Sequence, residues 1–437
     1  MSDALPLPER PNLEQYKKLA RELQRACKAG GLEAIREWAA GWAERYAALE
    51  GAAMTAAAKK SIAAETERIP RRWLRFQSKN ERAARCSLAD AQYFVALAHG
   101  FPSWPVFASH LEGLAGSGSA ISSFEQAADA IVRGDADALR RLLRDSPELA
   151  RTRSTREHGS TLLHYVSANG VEDFRQKTPG NIVEITAILL DAGADVNAES
   201  GAYGGGSTAL GLTATSCHPE DAGVQPELME LLIGRGARVD GPDTRDIVNA
   251  CLHNGRGEAA AFFAARGARL DLEGAAGVGR LDVVRGYFEE DGALKAGATP
   301  KQVIDGFTWA CEFGRIEVID FLVRGRIQAD ARLSRGETGL HWAAYGGHAA
   351  AVRLLLEHGA RVDAIEEEYD GTPLGWALYG WGAENAQGSF YEAVALLARA
   401  GAKLEAAWFE GDEDRRRAAA KIRGDARMMA ALGGEIV

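Results

Sequence analysis

The chain has 437 residues, 46% of them apolar and 26% charged, a balance that supports a sizeable folded core. A formal net charge of −10 argues against nucleic-acid binding over the whole surface, because phosphate recognition wants a basic field. No apolar run reaches about 18 residues and the start, MSDALPLPERPNLEQ, lacks a charged-then-apolar leader, so neither a membrane span nor a secretory signal is expected.

Residues 12–115 show no repeat. Leu13, Tyr16, Leu19, Ala20, Leu23 and Cys27 fall on one helical face, and further helices are expected over 32–48 and 51–67. LADAQYFVALAHGFPSWPVFASHLEGL (88–114) reads as two short helices around a fixed corner, because the residue before each Pro is pushed out of the helical region. Residues 1–120 carry 17 Lys+Arg against 13 Asp+Glu, whereas the remainder carries 34 against 48. The basic excess sits in RIPRRWLRFQSKNERAAR (68–85). It is read as a solvated helix face that docks on the acidic remainder, with nucleic-acid contact through Trp73 and Phe76 as the alternative. The Gly/Ser-rich LAGSGSAISS (114–123) marks a boundary, giving a helical domain over 1–115 and a linker over 116–122. The five cysteines (27, 86, 217, 251, 311) are scattered and form no CxxC pair, so they are expected to be reduced thiols of a cytoplasmic protein, neither a disulfide frame nor a zinc site.

From residue 123 onward two phrases recur. Gly-Ala-x-(Val/Leu)-Asp appears at Gly193, Gly236, Gly267 and Gly359, with Glu for Asp at Gly401 and degenerate copies at Gly292 and Gly325. Each copy follows an apolar helical stretch, such as ITAILLDA or VRLLLEH. A second phrase opens the units: TLLHYV at Thr161, TALGLT at Thr208, TGLHWA at Thr338 and TPLGWA at Thr372. This resembles the ankyrin repeat, with its T-P-L-H-x-A signature and period of about 33 residues. TGLHWAAYGGHAAAVRLLLEHGARVDA (338–364) fits nearly position for position.

The resemblance, over roughly 123–404, implies an all-α fold: an ankyrin solenoid in which each helix pair covers its neighbour's apolar face. About eight units are expected, over 123–155, 156–199, 200–240, 241–271, 272–296, 297–330, 331–364 and 365–404, closed by a helical cap over 405–437. Thr caps the first helix and Gly ends the second. The His of the TxLH slot, His164 and His341 here, is implied to bond the backbone near the finger loop. The phrase at 88–114 looks like a leader found ahead of ankyrin repeats in some bacterial proteins. The helix-ending glycines are 43, 31, 25, 33, 34 and 42 residues apart, so 272–296 is short and several units are long. The extra residues fall between the two helices: VEDFRQKTP (171–179), CHPEDAGVQP (217–226) and WGAENAQGSF (381–390). They are expected to project from one edge, where repeat proteins often bind.

By the same resemblance, the residues before the mid-repeat Gly face a concave groove. Candidate binding residues are therefore His253, Asn254, Glu312, Phe313, Tyr345 and Tyr379, with Tyr369 and Asp370 on the finger IEEEYDG, and Trp381, Glu384 and Asn385 in the last insertion. Trp309, Trp342 and Trp376 follow the TxLH slot and read as core residues, or else as an aromatic wall. The leading expectation is a scaffold that recognises a protein partner through groove and fingers. The alternative is a small-molecule binder or hydrolytic enzyme with a pocket in the groove of units 4–8, where His253 and Glu312 would serve as base and acid. No GxSxG, HExxH, CxxC or P-loop occurs, so the catalytic set is unknown, the reading leans against an enzyme, and no cofactor or metal is expected.

Overall fold

The computed structural model describes residues 4–7, 11–29, 32–49, 68–78, 86–116, 118–239, 247–382, 388–404 and 413–434. The chain divides into two compact units, 1–238 and 239–437, each taken here by itself.

The first unit opens with α1 (Leu13–Lys28), started by the Asn12 side chain accepting the Glu14 N–H. Its apolar face of Tyr16, Leu19, Ala20 and Leu23 is buried. α2 (Leu32–Leu49) follows, then α3 over 68–78, α4 (Leu88–Ala98) and α5 (Trp104–Ala115). The helix expected over 51–67 lies outside the described residues. The corner between α4 and α5 is held by Nδ1 of His99 against the Leu5 carbonyl at 2.9 Å, with Phe101 fully buried beneath it. α3 occupies the first part of the basic stretch, and residues 79–85 lie outside the description. Trp73 is fully buried edge-on against Phe94, ring centroids 5.0 Å apart. It is a core residue, not a platform for a base.

The thiol expectation needs correction. Cys27 and Cys86 form a disulfide, with Cα atoms 5.8 Å apart, while Cys217, Cys251 and Cys311 are free. The pairing joins the last turn of α1 to the residue before the α4 cap, and a separation of 59 residues in sequence carries no signal for it. The support that five reduced thiols lent to a cytoplasmic location is thereby removed.

Three helix pairs follow in the same unit. α6 (Ala120–Arg133) pairs with α7 (Ala136–Asp145). A 3₁₀ helix (Leu162–Ser167) pairs with α8 (Ile182–Asp191). α9 (Ala209–Thr215) pairs with α11 (Gln225–Gly234) across the short α10 (Cys217–Asp221). A two-residue antiparallel ribbon, Glu199–Ser200 with Ser207–Thr208, forms a finger.

The first two insertions do not hang free. In 171–179, Arg175 is buried and donates to Glu125 Oε2 at 2.7 Å and to Asp129 Oδ1 at 2.7 Å. Buried Arg156 pairs with Glu125 and Glu172 and donates to the His99 carbonyl at 2.7 Å. Burial alone would raise the Glu125 and Glu172 carboxyls, but the two guanidiniums hold both below the usual range. In 217–226, the Gln225 side chain donates to the carbonyls of Thr213 at 2.9 Å and Ser216 at 3.1 Å. Both insertions satisfy backbone and charge inside the unit, where water would otherwise have to serve.

The second unit holds five more pairs: α12 (Ile247–His253) with α13 (Gly257–Ala265), α14 (Leu272–Val278) with α15 (Leu281–Arg285), α16 (Pro300–Glu312) with α17 (Ile316–Val323), α18 (Gly339–Tyr345) with α19 (Ala349–Glu357), and α20 (Pro373–Gly382) with α21 (Phe390–Arg399). The glycines flagged by the repeat, Gly267, Gly292, Gly325, Gly359 and Gly401, all have φ between 81° and 101°, the left-handed cap the sequence pattern implies. The short unit shows as a second helix of five residues, α15, closed by a bridge between Phe288 and Leu294. One continuous core runs through Leu272, Phe307, Leu340 and Leu374. α22 (Glu413–Gly424) and α23 (Ala426–Leu432) add Ile422, Met428 and Ala431 to it. No helix among the described residues is long and apolar enough to cross a membrane.

Candidate functional site

The site residues of the second unit sit at the C-terminal ends of the first helix of each pair, a position fixed by the start of that helix. In α18 the start is Thr338. Its backbone N–H and hydroxyl both meet Nδ1 of His341, at 3.1 Å and 2.9 Å. Because Nδ1 accepts the backbone N–H, Nε2 carries the proton and donates to the Gly371 carbonyl at 3.2 Å. Burial pushes the imidazole down to about 4, so it is neutral at pH 7. His164 repeats the arrangement, with Nε2 on the carbonyls of Ala198 at 3.0 Å and Ser207 at 3.2 Å. Each ring ties one helix start to the next finger, as the resemblance implies.

The finger after α19 is organised by Glu366, one of the acidic residues of the finger IEEEYDG. Its buried carboxylate accepts the N–H groups of Glu368 (2.7 Å), Tyr369 (3.1 Å) and Gly371 (2.9 Å). Burial would raise this carboxyl, yet the three backbone donors hold it below the usual range. The available signal was an acidic run leading into Tyr-Asp-Gly, a turn that a carboxylate can anchor. Tyr369 stands 67% exposed at the tip and donates its hydroxyl to Glu368 at 3.0 Å. Asp370 is exposed, with φ of 52°.

Four aromatic rings gather at the ends of α18 and α20. Trp342 and Trp376 meet edge-on at 5.0 Å, Tyr345 lies 6.0 Å from Trp342, and Tyr345 and Tyr379 stand nearly parallel at 6.3 Å. The tyrosines are 38% and 76% exposed, and both tryptophans are half-buried. The Trp342 indole nitrogen is buried without a hydrogen-bond partner among the described residues. The tryptophans thus form the floor of an aromatic wall. Glu312, at the end of α16, adjoins this wall: its carbonyl oxygen would lie 2.9 Å from a Cβ added at Gly346, beside Tyr345, and its charge is felt at the Tyr345 phenol. Burial pushes its carboxyl up to about 8. The Tyr345 phenol is also raised, first by burial and then by Tyr379 and Glu312.

The remaining predicted residues do not join this group. Phe313 lies against Gly257, where an added Cβ would come within 2.5 Å of the ring. His253 and Asn254 are exposed at the end of α12, with the Asn254 amide donating to the Ala250 carbonyl at 2.8 Å. His253 and Glu312 stand on helices separated by α14, so no acid–base pair is built from them. Trp381 turns to the other side of α20, against Tyr391 at 6.5 Å and under the Lys421 ammonium at 4.7 Å. Glu384 and Asn385 lie outside the described residues. No cluster of three or more His, Cys, Asp or Glu among the described residues is placed to hold a metal ion.

Residues 307–407, which contain Glu312 and all four rings, match the family model for ankyrin repeats, with three copies. The chain carries ankyrin repeats. In that stretch the all-α pairs α16–α17, α18–α19 and α20–α21 stack as an ankyrin solenoid. The chain is 38% identical to the palmitoyltransferase Hip14 of Drosophila melanogaster over 68 residues, which are 16% of this chain and 11% of that protein. The match therefore spans about a tenth of that relative. Among solved structures, the human ASB11 ankyrin repeat domain aligns with 64% of this chain and 99% of its own, at 18% identity and a TM-score of 0.32. Ankyrin repeats in general are protein-binding scaffolds, since a rigid stack of short helices presents a preorganised surface.

Proposed function

We propose that this protein is a scaffold that seats a protein partner on the helix ends and fingers of units 4–8, centred on Tyr345 and Tyr379. The carrying observation is the pair of exposed tyrosines fixed on the ends of short, well-packed helices. Aromatic side chains held rigidly at a surface bury large area at small entropic cost, which is how interface anchors work. The small-molecule alternative draws less support. A ligand pocket encloses most of its occupant, whereas Tyr379 is 76% exposed and Trp381, expected to wall the groove, packs on Tyr391 instead.

Affinity capture from lysate with the wild-type chain and a Tyr345→Ala/Tyr379→Ala variant tests the reading. The expected result is a stoichiometric partner held by the wild type and lost by the variant. A metabolite that raises the melting temperature of the wild type, with no partner captured, overturns it in favour of the pocket.

A further inference from the structure

We propose that the wall formed by Trp342, Tyr345, Trp376 and Tyr379, with Glu312 beside it, is a slot for the guanidinium of a partner arginine. The proposal rests on the scaffold reading and names what the partner must bring.

Three observations carry it. First, other surface aromatics of this unit already hold a cation of the chain's own: Arg266 lies 3.5 Å over Phe262, Arg326 3.8 Å over Phe321, Lys421 4.7 Å over Trp381 and Arg427 4.3 Å over Tyr391. The four-ring wall, the largest aromatic group in the unit, carries none among the described residues. Ring faces attract cations, and most strongly where water is partly excluded. Second, the Glu312 side chain is half-buried, and no hydrogen bond or ion pair to its carboxyl forms among the described residues. A half-buried acid without a partner is costly to keep, and an incoming cation would satisfy it. Third, Tyr345 and Tyr379 are nearly parallel, 21° between planes. A planar, weakly hydrated guanidinium stacks on such rings better than a compact ammonium, and its remaining N–H groups can reach a carboxylate.

The neighbouring charges are compatible with an added cation. Nε2 of His348 donates to the Glu312 carbonyl at 2.7 Å, and burial lowers that imidazole, disfavouring its charged form. Arg315 is directed away, onto the Gly277 carbonyl at 2.9 Å. The Arg256 charge is felt at Tyr345, but as the smallest of the four influences there. Because a bound cation favours ionised Glu312, binding releases a proton from that carboxyl and tightens as the pH rises through its titration.

The test uses the full chain with ¹⁵N-labelled tryptophan, whose indole signals report the wall directly. The probes are acetyl-arginine-amide and its neutral near-isostere, acetyl-citrulline-amide. The expected result is a saturable shift of the Trp342 and Trp376 signals with arginine only, tightening between about pH 6 and about pH 8.5. Glu312→Gln is expected to weaken arginine binding about tenfold and flatten that pH dependence. Unmoved signals from the other tryptophans verify that the variant is folded. Equal shifts with citrulline, an unaltered response in Glu312→Gln, or tighter binding of acetyl-lysine-amide overturns the slot. Partner capture without any arginine response also overturns the slot while the scaffold stands. An arginine response without a captured partner supports the slot and overturns the scaffold.

Discussion

The backbone N–H of Thr338 points into Nδ1 of His341 at 3.1 Å, and this bond sets the start of the helix that carries Tyr345. The other ring nitrogen reaches the finger at Gly371. Replacing His341 with Ala strands the buried Thr338 N–H and the half-buried Gly371 carbonyl at once, at a cost of about 2–4 kcal/mol. Hydrogen exchange of amides 338–371 is expected to accelerate in step with a lower melting temperature. Unaltered exchange there would show that the imidazole does not order the finger.

Acid is expected to destabilise the fold through buried neutral histidines. His110, His164 and His341 are pushed down to about 4, and His99 to about 3, all chiefly by burial. Below the unfolded pKa of about 6.5 the unfolded chain takes up protons that the folded chain refuses. Stability contributed by these rings is therefore complete above about pH 6.5 and is lost as the pH falls toward their folded values. Melting temperatures recorded across this range should fall with acid, and less so in a His341→Gln variant. A flat profile would contradict the neutral assignment.

Glu312 works in the opposite sense. Its folded pKa of about 8 lies above the ordinary carboxyl value, so the folded chain holds a proton that the unfolded chain releases. Its penalty is absent below about pH 4.5 and complete above about pH 8. Glu312→Gln should therefore raise the melting temperature more at about pH 9 than at about pH 5. An equal effect at both would mean that the carboxyl titrates normally.

Gly380 in α20 allows the closest approach between this helix and α18. A Cβ there would lie 2.1 Å from the Tyr345 carbonyl oxygen, a backbone atom that cannot rotate away. Gly380→Ala is expected to cost at least about 3 kcal/mol and to disturb the tyrosine pair. Gly382→Ala is the control, because nothing lies within 4 Å of its added Cβ and Ala is the better helix former. Thermal melts of the two variants should separate widely. Similar melts would show that the helices can part without loss.

Arg156 joins Glu125, Glu172 and the His99 carbonyl in the buried network of the first unit. Arg156→Met leaves the two carboxylates with one guanidinium, that of Arg175, between them. Breaking a buried pair from one side costs about 3–5 kcal/mol, so the early repeats and the α4–α5 corner should loosen together. Limited proteolysis would read this as joint cleavage in both regions. Cleavage of only one would show that the arginine does not couple them.

The repeat was legible because its physics is local. Thr caps, left-handed Gly and the His of the TxLH slot each act within one turn or one finger, so Thr338, His341 and Gly359 announce themselves. Contacts between distant residues left no such mark. Nothing near Cys27 points to Cys86, and Glu172 and Arg175 look like surface loop until Glu125 and Arg156 are brought beside them. The site was legible in part for the same reason. Tyr345 and Tyr379 share a register position and came together, whereas Trp381, five residues past Trp376, follows the helix round to the opposite side. Trp342 and Trp376 matched two readings, core or wall, because a half-buried ring serves as both.

The bond from Arg156 to the His99 carbonyl bears on how such a gene can be cut and rejoined. Repeat arrays are ordinarily lengthened, shortened or transplanted by recombination between units, since each unit answers only to its neighbours. Here a crossover at the Gly/Ser-rich segment, the most permissive point in the sequence, would deliver repeats whose buried arginine had left one of its acceptors behind. Shuffling of the first repeats is therefore expected to succeed only when the leader travels with them.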